Sequence, residues 1–100
     1  MFRHTVLFRF KDGTTSEQIE AISVALGQLP SIIGQIRSYS FGPDAAVNPG
    51  NFDFAVTGTF DSVDDYLVYR DHPEHQRFVK ELVVPVLESR AAVQFSEGDA

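Results

Sequence analysis

Phe2-Arg3-His4-Thr5-Val6-Leu7-Phe8-Arg9-Phe10 alternates strictly in side-chain character. With a two-residue period, Phe2, His4, Val6, Phe8 and Phe10 share one face, and Arg3, Thr5, Leu7 and Arg9 share the other. That is the signature of a half-buried strand, and a strand with one apolar face needs a sheet to belong to and a layer to cover it. Lys11-Asp12-Gly13 supplies turn chemistry, and Thr14 followed by Glu17 matches a capping box opening a helix. Ile19, Ile22, Leu26 and Leu29 then recur at helical spacing up to Pro30, where the helix is expected to end.

Two further apolar runs read as strands: Ile36 to Phe41, and Phe52 to Phe60, the latter placing Phe52, Phe54, Val56, Gly58 and Phe60 on one face. Gly42 to Asn51, rich in Gly, Pro and Asn, is the loop between them. Ser62 with Asp65 opens a second helical region that passes through Pro73 towards Leu82, with Pro85 as a stop or second kink. Ala91 to Ser96 is the last strand, and Glu97 to Ala100 is a polar tail expected to fray. The order is strand, helix, strand, strand, helix, strand. It specifies an α+β fold, the ferredoxin-like βαββαβ plan with a four-stranded antiparallel sheet, occupying residues 1–97 as a single domain with 98–100 as the tail.

Right-handed crossovers put both helices on one side of that sheet. The face bearing Phe8, Phe54 and Phe60 suits them. The opposite face, assigned Thr5, Leu7, Ala55, Thr57, Ala92 and Gln94, is neither clearly polar nor clearly apolar, so a homodimer formed by packing two such open sheet faces is expected.

The chain of 100 residues carries a net charge of -6. It has no clustered Lys and Arg, which argues against a nucleic-acid groove or an anionic membrane surface as partner. Hydrophobic residues make up 43% and charged residues 22%, a globular balance. The absence of cysteine removes disulfides, thiolate metal sites and a cysteine nucleophile. The opening residues enter the first strand without an uninterrupted apolar segment, so the cytoplasm is the expected compartment. Scattered glycines provide no phosphate cradle for a nucleotide or flavin, no serine sits in a nucleophile elbow, and His72 and His75 straddle a proline rather than converging on one helical face. No cofactor and no metal are expected.

Proton-transfer chemistry concentrates in Tyr69-Arg70-Asp71-His72-Pro73-Glu74-His75-Gln76, which holds two of the three histidines. Pro73 disfavours helical geometry at His72 and suits the first turn of a new helix, so His75 and Phe78 follow a kink. A histidine there is a plausible base at neutral pH, and a tyrosine hydroxyl can donate to a developing oxyanion. The same spacing fits His72 as a helix cap, His75 as a locally bonded residue and Tyr69 as a core aromatic. His4, on the helix-facing side of its strand, is either a ligand contact or a hydrogen-bonded core residue.

The opening Arg3-His4-Thr5-Val6-Leu7-Phe8-Arg9-Phe10-Lys11, the Leu29-Pro30 helix end with Ile36-Arg37-Ser38 and Gly42 after it, and above all His72-Pro73-Glu74-His75 with Phe78 resemble the stress-responsive dimeric A/B barrel family, Dabb. The resemblance covers nearly the whole chain. It implies a dimeric α+β barrel with a cavity between sheet and helices in each protomer. A plant member of the family closes a linear polyketide by a cofactor-free aldol condensation. The likeness to it implies His75 as catalytic base, Tyr69 as hydrogen-bond donor and His4 in the pocket, while a pocket histidine of that enzyme has no match because Phe54 occupies its place. The expected site is therefore His75 and Tyr69 for chemistry, with His4, Phe8, Phe54 and His72 around a small apolar or aromatic ligand. Two function classes remain open: a cofactor-independent cyclase, isomerase or oxygenase-like enzyme, and a stress-responsive homodimer whose cavity only binds.

Overall fold

Strand β1 (Phe2–Phe10) lies in the middle of the molecule, with β3 (Phe54–Phe60) on one side and β4 (Leu87–Ser96) on the other; β2 (Ser38–Pro43) pairs with the far edge of β3. All three pairings are antiparallel. In this computed structural model, which describes residues 1–98, helix α1 (Ser16–Ile32) joins β1 to β2. Helices α2 (Val63–Asp71) and α3 (Pro73–Phe78) join β3 to β4 through a π-helical turn at Val79–Val83 and a 3-10 turn at Val84–Val86. The result is the ferredoxin-like βαββαβ plan.

The alternation of β1 is read out directly: His4, Val6, Phe8 and Phe10 are buried beneath the helices, and the residues between them are half-buried. Ile22, Leu26 and Leu29 of α1 share one apolar core with Phe54, Val56 and Phe60 of β3. Burying side chains of this size contributes about 1.5 to 3 kcal/mol each.

Several boundaries move from their sequence expectations, each for a local reason. The capping box is Thr15 with Gln18 rather than Thr14 with Glu17: Thr15 Oγ1 accepts from the Gln18 amide at 3.1 Å, and the Gln18 side chain accepts from the Thr15 amide at 2.9 Å. Thr14 is held in the preceding turn, where its hydroxyl donates to the Lys11 carbonyl at 2.7 Å, behind Gly13 at φ 85°. Pro30 does not end α1. Only the Leu26 carbonyl loses its helical donor to the proline, and the Ile33 amide still closes on the Leu29 carbonyl at 2.8 Å, with both Leu29 and Ile33 in the core. The second strand starts two residues later than expected because Ile36 is drawn into the core and Arg37 leads into the sheet by donating its amide to the Thr59 carbonyl. The third strand begins at Phe54, since Phe52 lies under the Arg9 guanidinium, 4.5 Å from its ring centroid. The fourth begins at Leu87, four residues early, as Phe10 pairs with Leu87 and the Lys11 amide donates to Val86.

The open face of the sheet also needs correction. His4 lies opposite Gln94 and Val6 opposite Ala92, so Gln94 and Ala92 point to the helix side. The open face takes Ala91, Val93 and Phe95 instead, opposite Leu7, Thr5 and Arg3, next to Ala55 and Thr57. Val93 and Phe95 stand 56% and 45% exposed there. The tail does not fray at its first residue: the Glu97 amide donates to Met1, and the Glu97 carboxylate accepts from Arg3 Nε at 2.8 Å. Asp99 and Ala100, the end of that expected tail, lie outside the described residues.

Candidate functional site

A cavity of about 270 Å³ opens between the sheet and the α2–α3 layer. Its walls come from every layer of the fold: His4, Val6 and Phe8 from β1, Tyr39 from β2, Tyr66, Tyr69 and Arg70 from α2, His75 and Phe78 from α3, and Arg90 from β4. The π-helical turn adds Val79 and Val83. Most of the lining is apolar, with a few polar groups converging on it, which is the ordinary make-up of a small-molecule site.

His75 reaches this cavity through the kink. His72 ends α2, and its Nδ1 accepts the Glu74 amide at 3.1 Å to open α3 with Pro73 in the first turn. One turn on, the His75 ring lies against Tyr69, with ring centroids 4.3 Å apart. His75 Nδ1 is 3.0 Å from the Arg70 carbonyl. A carbonyl only accepts, so Nδ1 carries the proton and Nε2 keeps the lone pair. Burial lowers the His75 pKa, partly countered by that bond to Arg70, so the ring is neutral at physiological pH.

His4 has the opposite tautomer. The Gln94 side-chain amide donates to His4 Nδ1 at 2.8 Å, leaving the His4 proton on Nε2. The ring is 6% exposed, and burial, followed by the positive charge of Arg90, lowers its pKa to about 4. At neutral pH the two histidines of the cavity are thus both uncharged, one with a lone pair at Nε2 and one with an N–H.

Tyr69 is 3% exposed, and its hydroxyl lies 2.6 Å from that of Tyr39. Burial pushes both phenols up, so neither ionises at physiological pH. Whichever hydroxyl donates within the pair, the other retains its proton for a further acceptor. Tyr39 does not stand out in the sequence as a site residue. Its place depends on Gly58, opposite both Tyr39 and His4 in the sheet: a Cβ at Gly58 would stand 2.9 Å from the Tyr39 ring. A glycine inside a strand marks such a close approach, and that is the signal the sequence offers.

Of the expected site residues, His4, Phe8, Tyr69 and His75 meet at this cavity. Phe54 does not line it; it is sealed in the core, with its ring 6.3 Å from Phe8 and 6.1 Å from Phe10. His72 is the cap between two helices and is also absent from the lining. Among the described residues, no three His, Asp or Glu side chains cluster closely enough to hold a metal ion, and no helix is long and apolar enough to cross a membrane.

The Stress responsive A/B Barrel Domain family, Dabb, matches residues 2–97. This chain belongs to that family. Among curated Dabb relatives, a stress-response A/B barrel domain-containing protein of Arabidopsis thaliana is 29% identical over 95% of the chain, which spans only 36% of that relative's length. A solved dimeric ferredoxin-like protein of unknown function from Thermobifida fusca is 40% identical, covering 96% of this chain and 90% of its own, with a TM-score of 0.89. The hydroxynitrile lyase of Passiflora edulis is 26% identical, covering 99% of this chain and 94% of its own, with a TM-score of 0.85.

Proposed function

We propose that this Dabb protein is a homodimer in which each protomer performs cofactor-independent proton transfer on a small carbonyl or hydroxy compound held in the cavity. The observation that carries this reading is the fixed tautomer of His75. Its Nδ1–H is tied to the Arg70 carbonyl, so the neutral ring offers a lone pair at Nε2 in a site walled by apolar side chains. His75 is the base. The Tyr39 and Tyr69 pair and the His4 Nε2–H are neutral donors for an oxygen that gains negative charge as the proton leaves. In opening a bond of the aldol or cyanohydrin type, His75 takes the hydroxyl proton, the C–C bond breaks to leave the aldehyde, and the proton passes from His75 to the departing enolate or cyanide. A hydroxynitrile lyase of similar fold and 26% identity supports that class.

The mutual bond of the two tyrosine hydroxyls favours a second reading, in which the cavity binds an apolar molecule without converting it. For the dimer, support comes from the exposed Val93 and Phe95 on the open sheet face and from solved relatives described as dimeric, at 40% and 32% identity. Turnover separates the two readings. Aromatic cyanohydrins and β-hydroxy ketones are incubated with the protein and with His75→Ala, and aldehyde release is followed by absorbance. Release that falls about 100-fold or more in the variant supports the base. Binding of benzaldehyde without turnover of either compound class supports the second reading.

A further inference from the structure

Among the described residues, the permanent charges lining the cavity are Arg70 and Arg90, with no aspartate or glutamate beside them in the lining. The two are not equivalent. Arg70 is committed to its neighbour, with Nε 2.9 Å from Asp71 Oδ1 and a terminal nitrogen 3.1 Å from Oδ2. Arg90, on the edge strand β4, lies opposite Phe8 and therefore turns to the helix side of the sheet, at the cavity. Among the described residues it has neither a hydrogen-bond nor an ion-pair partner.

Arg90 is exposed, so a solute can reach it directly at the edge of the cavity, in a chain with 14 acidic and 8 basic residues. Acidic side chains are plentiful elsewhere on the surface, and Arg37, Arg70 and Arg77 each take one. The groups near Arg90 in the cavity, by contrast, are neutral: His4, kept uncharged by burial and by Arg90 itself, and the phenol of Tyr66. A guanidinium presents paired N–H donors in a plane matched to a carboxylate. Beyond it the walls are aromatic and aliphatic: Phe8, Phe78, Val79, Val83 and Leu87.

We propose that Arg90 receives the carboxylate of a small aromatic or aliphatic acid whose apolar body fills the cavity. This rests on the reading of the cavity as the ligand site and adds the class of ligand. A monoanion suits one free guanidinium, whereas a phosphate dianion would enter a protein of net charge -6 with a single cation to meet it. The carboxylate end at Arg90 directs the rest of the molecule inward, towards the tyrosines and His75.

The test is calorimetric titration of the intact protein at pH 7 with trans-cinnamate and with cinnamamide, which share a shape and differ in charge, repeated on Arg90→Gln. The expected result is that cinnamate binds about tenfold or more tighter than the amide, and that Arg90→Gln removes this preference while leaving the affinity for the amide unchanged. Equal affinity of the unaltered protein for both compounds would overturn the proposal and leave the cavity as a ligand site. A preference that survives in Arg90→Gln would overturn the assignment to Arg90. Failure of both compounds to bind would overturn this proposal together with the cavity reading on which it rests.

Discussion

The hydroxyls of Tyr39 and Tyr69 lie 2.6 Å apart, joining the outermost strand to the helix that ends at the proline kink. Because the two residues come from β2 and α2, the bond holds those two elements together beside the cavity. Both oxygens are in a largely apolar setting, where an unpaired hydroxyl is costly. Tyr39→Phe and Tyr69→Phe should each destabilise by about 1 to 3 kcal/mol, and the double variant by less than their sum. Urea denaturation of the four proteins measures this cycle. Strict additivity would show that the two hydroxyls do not depend on each other.

Gly58 sets the position of Tyr39. Gly58→Ala brings a methyl group to 2.9 Å from the Tyr39 ring, so the ring must shift from its place. The expected cost is about 1 to 3 kcal/mol. Combining it with Tyr39→Ala should recover most of that loss, since the obstacle has gone. A loss that persists in the double variant would place the strain elsewhere in β3.

Acid sensitivity follows from the neutral histidines. The fold lowers the pKa of His4 to about 4 and lowers that of His75, in both cases first through burial. As pH falls below the unfolded value near 6.5, the unfolded chain therefore binds protons that the folded one refuses. The stability from these groups is full above that value and declines as pH falls; the His4 part levels off below about 4. Denaturation midpoints should drop between pH 6.5 and 4, and the His4 ring signal in proton NMR should stay unprotonated through most of that range. A His4 midpoint near 6.5 would contradict the buried, Gln94-bonded ring.

Leu7 is half-buried at the centre of the open face, opposite Ala55 and Ala91. If two copies pack through that face, Leu7→Asp should leave a folded monomer with an unchanged helical circular dichroism signal. Multi-angle light scattering at micromolar concentration checks the mass. A dimer that survives the change would move the interface to another surface.

The βαββαβ order is legible in the sequence because periodicity switches cleanly between two and 3.6 residues, and because Phe2 to Phe10 shows its two faces without ambiguity. Boundaries are less legible where tertiary contacts outweigh local preference. Pro30 looks like a stop, but only one carbonyl loses its donor, and core packing of Leu29 and Ile33 keeps the last turn. Ala92 and Gln94 fall on the face opposite to the expected one because β4 has little hydrophobic contrast, and only its register with β1 decides the side. The Pro73 kink points to His75, and β1 points to His4 and Phe8. Tyr39 and Arg90 come from the two edge strands, 51 positions apart by their numbers in the chain, and only the sheet order brings both to one cavity.

In the proposed function His75 is a neutral base with its proton on Nδ1 and its Nε2 available to a ligand. Long-range nitrogen–proton NMR of the imidazole rings at pH 7, with and without a saturating aromatic aldehyde, tests it directly. The expected result is a protonated Nδ1 and an unprotonated Nε2 for His75, with the Nε2 signal moving when the aldehyde binds. A His75 ring protonated at Nε2, or one whose nitrogens do not respond to a ligand shown to be bound, would contradict it.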